Sequence, residues 1–225
     1  MTVIGLSLFA QTKYVLVIEK NDGTQVRIHS SEIKEMTIDT EEFHEWVDLG
    51  MPSGTMWATC NIGAEQPSDA GSYFAWGEFE EKGLYDWVSY SHCDGNAMNC
   101  HFLGNNIAGT KYDAAYVIWG DEWCLPTQEQ FKELIQECTK QRITLNQKKG
   151  VLFTGPNGEN VFFPEAGARW DSEINGQKQG GKYWSATLDT YYSGGAHYLS
   201  IEDDEISWNY SWHRYGGFPI RPVRK

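Results

Sequence analysis

The sequence predicts an α+β fold, an antiparallel sheet accompanied by two helices and preceded by a small N-terminal β-hairpin. Three observations carry this. Aromatic residues make up 14% of the 225 residues and 23 glycines interrupt them, a composition of short strands and many turns. Helical periodicity appears in only two stretches, both in the middle of the chain. On either side, apolar residues alternate with polar ones or run in short blocks bounded by Gly, Pro, Asn and Asp.

Residues 1–11 have an apolar core, Val3 to Ala10, that looks like the back half of a secretory signal without its basic start. We expect the remnant of an export signal there, with a first strand as the alternative. Residues 12–45 read as a unit of their own. Tyr14 to Glu19 and Gln25 to His29 are strands, and Asn21-Asp22-Gly23 between them suits a tight turn. A short strand at Glu35 to Ile38 and the acidic link 39–45 complete this unit.

From Trp46 to the C-terminus the composition is that of one domain. Leu49 to Gly54 is a turn between short strands, 71–78 another strand, and 82–111 an irregular surface loop. The first helix begins at Asp113, a natural cap, and stops at Gly120. The second has a Thr127/Gln130 capping box and an apolar stripe of Phe131, Leu134, Ile135 and Cys138. Strands then follow at 151–155, 160–167, 182–187, 196–201, 205–212 and 218–223. The strand at 205–212 alternates strictly, which predicts Ile206, Trp208, Tyr210 and Trp212 on one face and Ser207, Asn209, Ser211 and His213 on the other.

Charge and motif content exclude several functions. A net charge of −13 repels nucleic-acid backbones and anionic membranes, and no apolar run reaches the ~18 residues of a membrane span. No nucleophile elbow, phosphate loop, dinucleotide fingerprint or zinc-protease motif occurs. The carboxylate runs Glu78/Glu80/Glu81 and Asp203/Asp204/Glu205 read as solvated turns. Cys93 and Cys100 could close a short disulfide, remain thiols, or bind zinc with His92 and His101, although the spacing matches no standard zinc module. No catalytic residue, resident metal or cofactor is expected.

The ordered motifs "VDLGMPSGTMWATCNIGA", "GSYFAWGE", "DAAYVIWGDEWCLPTQEQFKEL", "FFPEAGAR", "GGKYWSAT" and "GGFPIRPVRK" resemble the Fibrobacter succinogenes major paralogous domain, and the resemblance covers residues 46–225. That is a family of exported proteins of C-type-lectin-like fold, common in gut Bacteroidetes. The Trp-x-Leu-Pro-Thr-x-x-x-Phe start of the second helix is also similar to the wider C-type-lectin-like group. This group includes formylglycine-generating enzymes and the variable proteins of diversity-generating retroelements. The late cysteine pair of the former is missing, since no cysteine follows Cys138. The diversified C-terminal region of the latter has a counterpart here, because Gly194, Ser200 and their polar neighbours interleave with Trp184, Leu199, Ile201, Trp208 and Trp212.

The resemblance implies a non-enzymatic, exported or cell-surface protein that binds a protein or glycan ligand, with no nucleic acid partner and no membrane span. The expected ligand-binding residues are Asp189, Tyr191, Tyr192, Ser193, His197, Tyr198, Ser207, Asn209, Ser211, His213 and Tyr215. The alternatives are a structural or adhesive surface module with no dedicated ligand, or a carbohydrate-binding module.

Overall fold

A computed structural model describes residues 15–19, 22–33, 44–175 and 180–224. The chain divides into two units, residues 1–42 and 43–225. In the first, β1 (Val15–Glu19) and β2 (Gln25–His29) pair antiparallel. Asp22 closes the turn by accepting from the Thr24 amide (2.9 Å) and hydroxyl (2.7 Å), and Gly23 takes a φ of 82°. The expected signal remnant and the strand at Glu35 to Ile38 lie outside the described residues.

The second unit is α+β with antiparallel sheets and two helices. Its strands β3 (Trp46–Asp48) and β4 (Met56–Ala58) pair with each other. The helix α1 (Ala114–Trp119) is capped by Asp113, whose carboxylate accepts from the amides of Ala115, Tyr116, Gly109 and Leu125. Four amide donors lower the Asp113 pKa, but burial outweighs them and raises it. The longer helix α2 (Gln128–Glu137) carries the full Thr127–Gln130 capping box and buries Phe131 and Leu134.

Next come β5 (Thr139–Leu145), β6 (Lys148–Thr154) and β7 (Asn160–Pro164), one three-stranded meander. The polar sequence of β5 hides a strand with an almost wholly exposed face, which hydrophobic patterning does not detect. A small pair, β8 (Ala168–Trp170) and β9 (Glu173–Asn175), precedes the main sheet. That sheet is β10 (Gly180–Leu188), β11 (Gly195–Glu202) and β12 (Ile206–His213), in that order. The last strand, β13 (Val223–Arg224), pairs back onto β4 and brings the C-terminus beside the start of the unit.

Two of the expected strands are replaced by something looser. Residues 71–78 form only an isolated bridge, Phe74 to Phe218, and most of 218–223 is extended chain outside a ladder. Pro219 and Pro222 lack the donors a ladder needs, so the segment is held through its carbonyls: Pro219 O accepts from Trp184 N (3.2 Å), Ile220 O from Ile62 N (3.1 Å) and Pro222 O from Ala58 N (3.0 Å).

The main sheet divides the core. Trp184, Ala186, Ala196 and Tyr198 pack on one side with Trp76, Phe74 and Phe218. Tyr183, Leu199 and Ile201 pack on the other with Trp57, Phe131 and Phe163. Both buried faces read as near-continuous apolar runs, as expected for strands covered on both sides. The indoles of Trp76 and Trp184 donate to the carbonyls of Ser185 and Phe74, each at 2.8 Å, so these two rings bury no unpaired N–H.

Residues 82–111 correct the surface-loop expectation. They contribute Tyr85, Tyr90 and Cys93 to a third buried cluster, and Cys93 and Cys100 are disulfide-bonded. Within this irregular segment, aromatic hydroxyls replace strand pairing. The Tyr85 hydroxyl donates to Tyr73 O (2.5 Å) and that of Tyr90 to Trp76 O (2.6 Å).

Candidate functional site

The site is built where β10 turns into β11. Asp189 directly follows β10, and its Oδ1 accepts from the amides of Tyr191 (2.9 Å) and Tyr192 (3.2 Å). Its Oδ2 accepts from the Ser211 hydroxyl at 2.6 Å, tying the turn to β12. Partial burial works against the Asp189 charge, but the Ser211 hydroxyl and the two amides outweigh it and hold the carboxyl below the usual carboxylate range. The carboxylate is therefore charged and fully engaged at neutral pH. Asx-type bonding of this kind fixes a turn without any help from regular structure.

On this fixed turn, Tyr191 is 100% exposed. Beside it Tyr192 is half-buried, with its hydroxyl 3.1 Å from His213 Nδ1. His213 stacks on Tyr215 (5.4 Å, 18°), and Trp87 meets both rings edge-on at 5.2 and 4.8 Å. Burial lowers the His213 pKa, so its ring is neutral at pH 7. Gly194 and Gly195 are required here, since a Cβ on either would come within 3 Å of the Tyr192 ring.

Behind these rings lies Arg214, 1% exposed. Its Nε donates to the Tyr90 hydroxyl (2.9 Å), and its Nη1 to the carbonyls of His101 (3.0 Å) and Ser193 (3.2 Å). The guanidinium also lies over the Trp76 ring at 4.7 Å. One side chain thereby joins the aromatic loop, the segment after the disulfide and the β10–β11 turn. Burial lowers its pKa, and the Tyr90 hydroxyl opposes that shift.

The alternation expected along β12 is broken. Tyr198 faces Tyr210 and Ser200 faces Ser207, so Trp208 and Asn209 together oppose Leu199. This is a β-bulge, and the extra residue flips the parity beyond it. Because cross-strand partners share a face, Ile206 and Trp208 lie on the same side as Ser211 and His213. Ser207, Tyr210 and Trp212 lie on the other, with Tyr198 and Ser200. The expected polar face of Ser207, Asn209, Ser211 and His213 is therefore not one face.

Of the expected residues, the fold gathers Asp189, Tyr191, Tyr192, Ser193, Ser211, His213 and Tyr215 at one end of the sheet. His197 adjoins them as the cross-strand partner of Ser211, on the same face, with its charge helping to lower the Asp189 pKa and its Nδ1 accepting from Gln128 at 3.1 Å. Ser207 and Asn209 lie toward the opposite end, and Tyr210, 43% exposed, donates to Glu205 there. Tyr198 is 5% exposed and packed edge-on to Trp184 and Phe218, so it supports the surface from beneath; burial pushes its hydroxyl pKa up to about 12.

Three contributors were not readable in advance. Trp87 and Arg214 reach the site from irregular chain, and the disulfide loop does so by proximity, since a Cβ on Gly194 would sit 3.1 Å from Ala97. That loop holds Met98 at 89% exposure, a second large apolar group in solvent. The cysteine spacing was the available signal for the loop, but nothing in it indicated which turn the loop would meet.

The zinc alternative is corrected by the disulfide, and His92 instead places Nε2 3.0 Å from Gly77 O. Glu78 and Glu81 are not idle solvated groups either. Glu78 pairs with Lys82 (2.7 Å), and Glu81 accepts from the Tyr73 amide (2.9 Å). Among the described residues, no helix is long and apolar enough to cross a membrane. Neither a protein-family model, nor a curated protein, nor a solved structure matches the chain.

Proposed function

We propose that this chain is an exported, non-catalytic binding protein of C-type-lectin-like fold, related to the Fibrobacter succinogenes major paralogous domain. Its recognition surface is the β10–β11 turn with the adjoining end of β12 and the disulfide loop. One observation carries the reading: a fully exposed Tyr191 stands on a turn whose backbone is fixed by Asp189. An exposed aromatic on a pre-ordered support offers contact area at low entropic cost, the economy used by paratopes.

The titratable groups at the site favour binding over catalysis. Asp189 is committed to three donors, and neutral His213 is wedged among Tyr192, Tyr215 and Trp87. The hydroxyls they meet, Ser211 at Asp189 and Tyr192 at His213, form two separate pairs and not the nucleophile, base and orienting group in one chain that acid–base catalysis uses. Because Asp189 and Arg214 hold the main chain, side chains such as Tyr191 and Ser193 are free to differ without loss of the fold. This suits retroelement-type diversification of the C-terminal region.

The test has two arms. The protein and its Tyr191→Ala variant are screened on protein and glycan arrays, and the locus is sequenced for a reverse transcriptase and an adenine-variant copy of the C-terminal codons. Array signals lost in the variant, whose melting temperature is unchanged, support the binding surface. Signals identical in both proteins, or none at all, overturn it. The locus decides separately whether the surface is diversified.

A further inference from the structure

A cleft of about 610 Å3 opens between residues 77–82, Ser91–His92 and Lys111–Tyr112. It shares no lining residue with the turn and strand surface above. Its volume falls within the roughly 300–1,000 Å3 of small-molecule sites. We infer that this cleft is a second binding site, for an uncharged pyranose, either free or as the terminal sugar of a glycan.

The walls are fixed before any ligand arrives. Gly77 has a φ of 86°, and a Cβ there would come 2.6 Å from Leu103 and 3.3 Å from the His92 ring. Only glycine lets the chain pass so close, and its carbonyl then holds His92 Nε2 at 3.0 Å. A carbonyl can only accept, so the neutral ring carries its proton on Nε2 and keeps Nδ1 as an acceptor. The ring stands edge-on to Tyr112 at 5.4 Å. Glu78 is held by the Ser91 amide and hydroxyl, both at 2.8 Å, and by Lys82 at 2.7 Å. Lys82 is in turn anchored on Ser89 O at 3.1 Å.

Charge selects the ligand class. The Glu78–Lys82 pair is internally neutral, and Glu81 is engaged with the Tyr73 amide. Of the remaining charged lining groups, Glu80 and Lys111 have opposite sign. With three glutamates and two lysines the lining is nearly balanced and offers neither sign of ion a cluster of opposite charge, while the net charge of −13 works against an anion. Phe79 is 42% exposed, and Tyr112 presents a half-buried ring with Lys111 5.0 Å from its centre. A sugar ring combines the apolar C–H face that aromatic rings cover with hydroxyls that both donate and accept. A carboxylate, an ammonium and an imidazole acceptor around such rings match it.

The experiment is an NMR titration of the full chain with methyl β-glucoside, methyl β-galactoside and N-acetylglucosamine, with glycerol and glycine as polyol and zwitterion controls. Saturable shifts at Gly77, His92 and Tyr112 with at least one pyranoside, and none with the controls, are expected. Phe79→Ala should weaken that binding about tenfold or more, the loss of one stacking face. Its melting temperature should hold, because the ring is exposed; a fallen melting temperature is resolved by Lys111→Met, which must then weaken binding alone. Silence with every pyranoside, equal response to glycine or glycerol, or shifts unaltered by both substitutions overturns the assignment. Shifts at Tyr191, Tyr192 and His213 instead would move the sugar to the turn surface, so failure here is distinguishable from failure of that surface.

Discussion

Two buried arginines, eight positions beyond the sheet's edge strand and just at its end, use the same chemistry in regions of different character. Arg221 is fully buried and donates to Asn61 Oδ1 (2.7 Å), Ala58 O (3.1 Å) and Thr59 O (2.8 Å), with its guanidinium 4.7 Å from the Phe163 ring centre. Arg214 likewise takes three oxygens and an aromatic face. Both cations are held by neutral acceptors, and burial lowers both pKa values, that of Arg221 to about 10. The difference lies in what they join. Arg221 ties the closing C-terminal segment to strand β4 and the chain just after it, all scaffold. Arg214 ties three surface segments whose residues His101 and Ser193 are themselves exposed. The same device closes the fold at one place and fixes the surface proposed for binding at the other.

Breaking each should therefore fail differently. Arg221→Met leaves buried acceptors at Ala58 and Asn61 with no water to replace the donor, and should cost about 3 kcal/mol or more in chemical denaturation. Reducing the disulfide comes next. Opening its short loop should cost about 2 kcal/mol by loop entropy, read as a lower melting temperature in reductant. Arg214→Met follows at about 1–2 kcal/mol, because His101 O and Ser193 O can turn to solvent while the Tyr90 hydroxyl cannot. Hydrogen exchange distinguishes the two arginines. The Arg214 variant should exchange faster only near 90–101 and 190–195, whereas the Arg221 variant should loosen globally; uniform acceleration in both would erase the distinction.

Acid should loosen the platform before the scaffold. The folded pKa values of His213 and His92 lie below the unfolded one, mainly through burial. As pH falls below about 6.5 the unfolded chain takes up these protons first, and stability present above that pH is lost. His213→Gln should flatten the fall in melting temperature between about pH 7.5 and 5.5. An unchanged slope would show that the imidazole is not a source of the pH dependence.

How far such contrasts were legible beforehand depends on range. The capping residues Asp113, Thr127 and Gln130 act within one turn, and both helices form where their sequence places them. The Asp22–Gly23 hairpin is equally local. The bulge in β12 is not local: its two-to-one opposition to Leu199 is fixed by where β11 pairs, so a perfectly alternating string folds with its parity broken. The same applies to Arg214, whose partners Tyr90 and His101 lie in loops more than a hundred positions earlier. The resemblance, together with residue type, marked Asp189, Tyr192, Ser211 and His213 as candidates, and their mutual contacts needed the fold.

The smallest expected effect on stability is the sharpest test of the platform. Tyr191 is fully exposed, and Tyr191→Ala should change stability by no more than about 0.5 kcal/mol. Tyr192→Ala differs by one position and should behave otherwise. Its ring covers Gly194 and Gly195 and its hydroxyl meets His213, so its loss opens a gap under the turn and should lower the melting temperature. A binding surface on a pre-ordered support predicts that ligand signal is lost in both variants while stability falls only in the second. If Tyr191→Ala retains binding and only Tyr192→Ala loses it, the contact residue is the supporting ring, and the exposed tyrosine is decoration on a fixed turn.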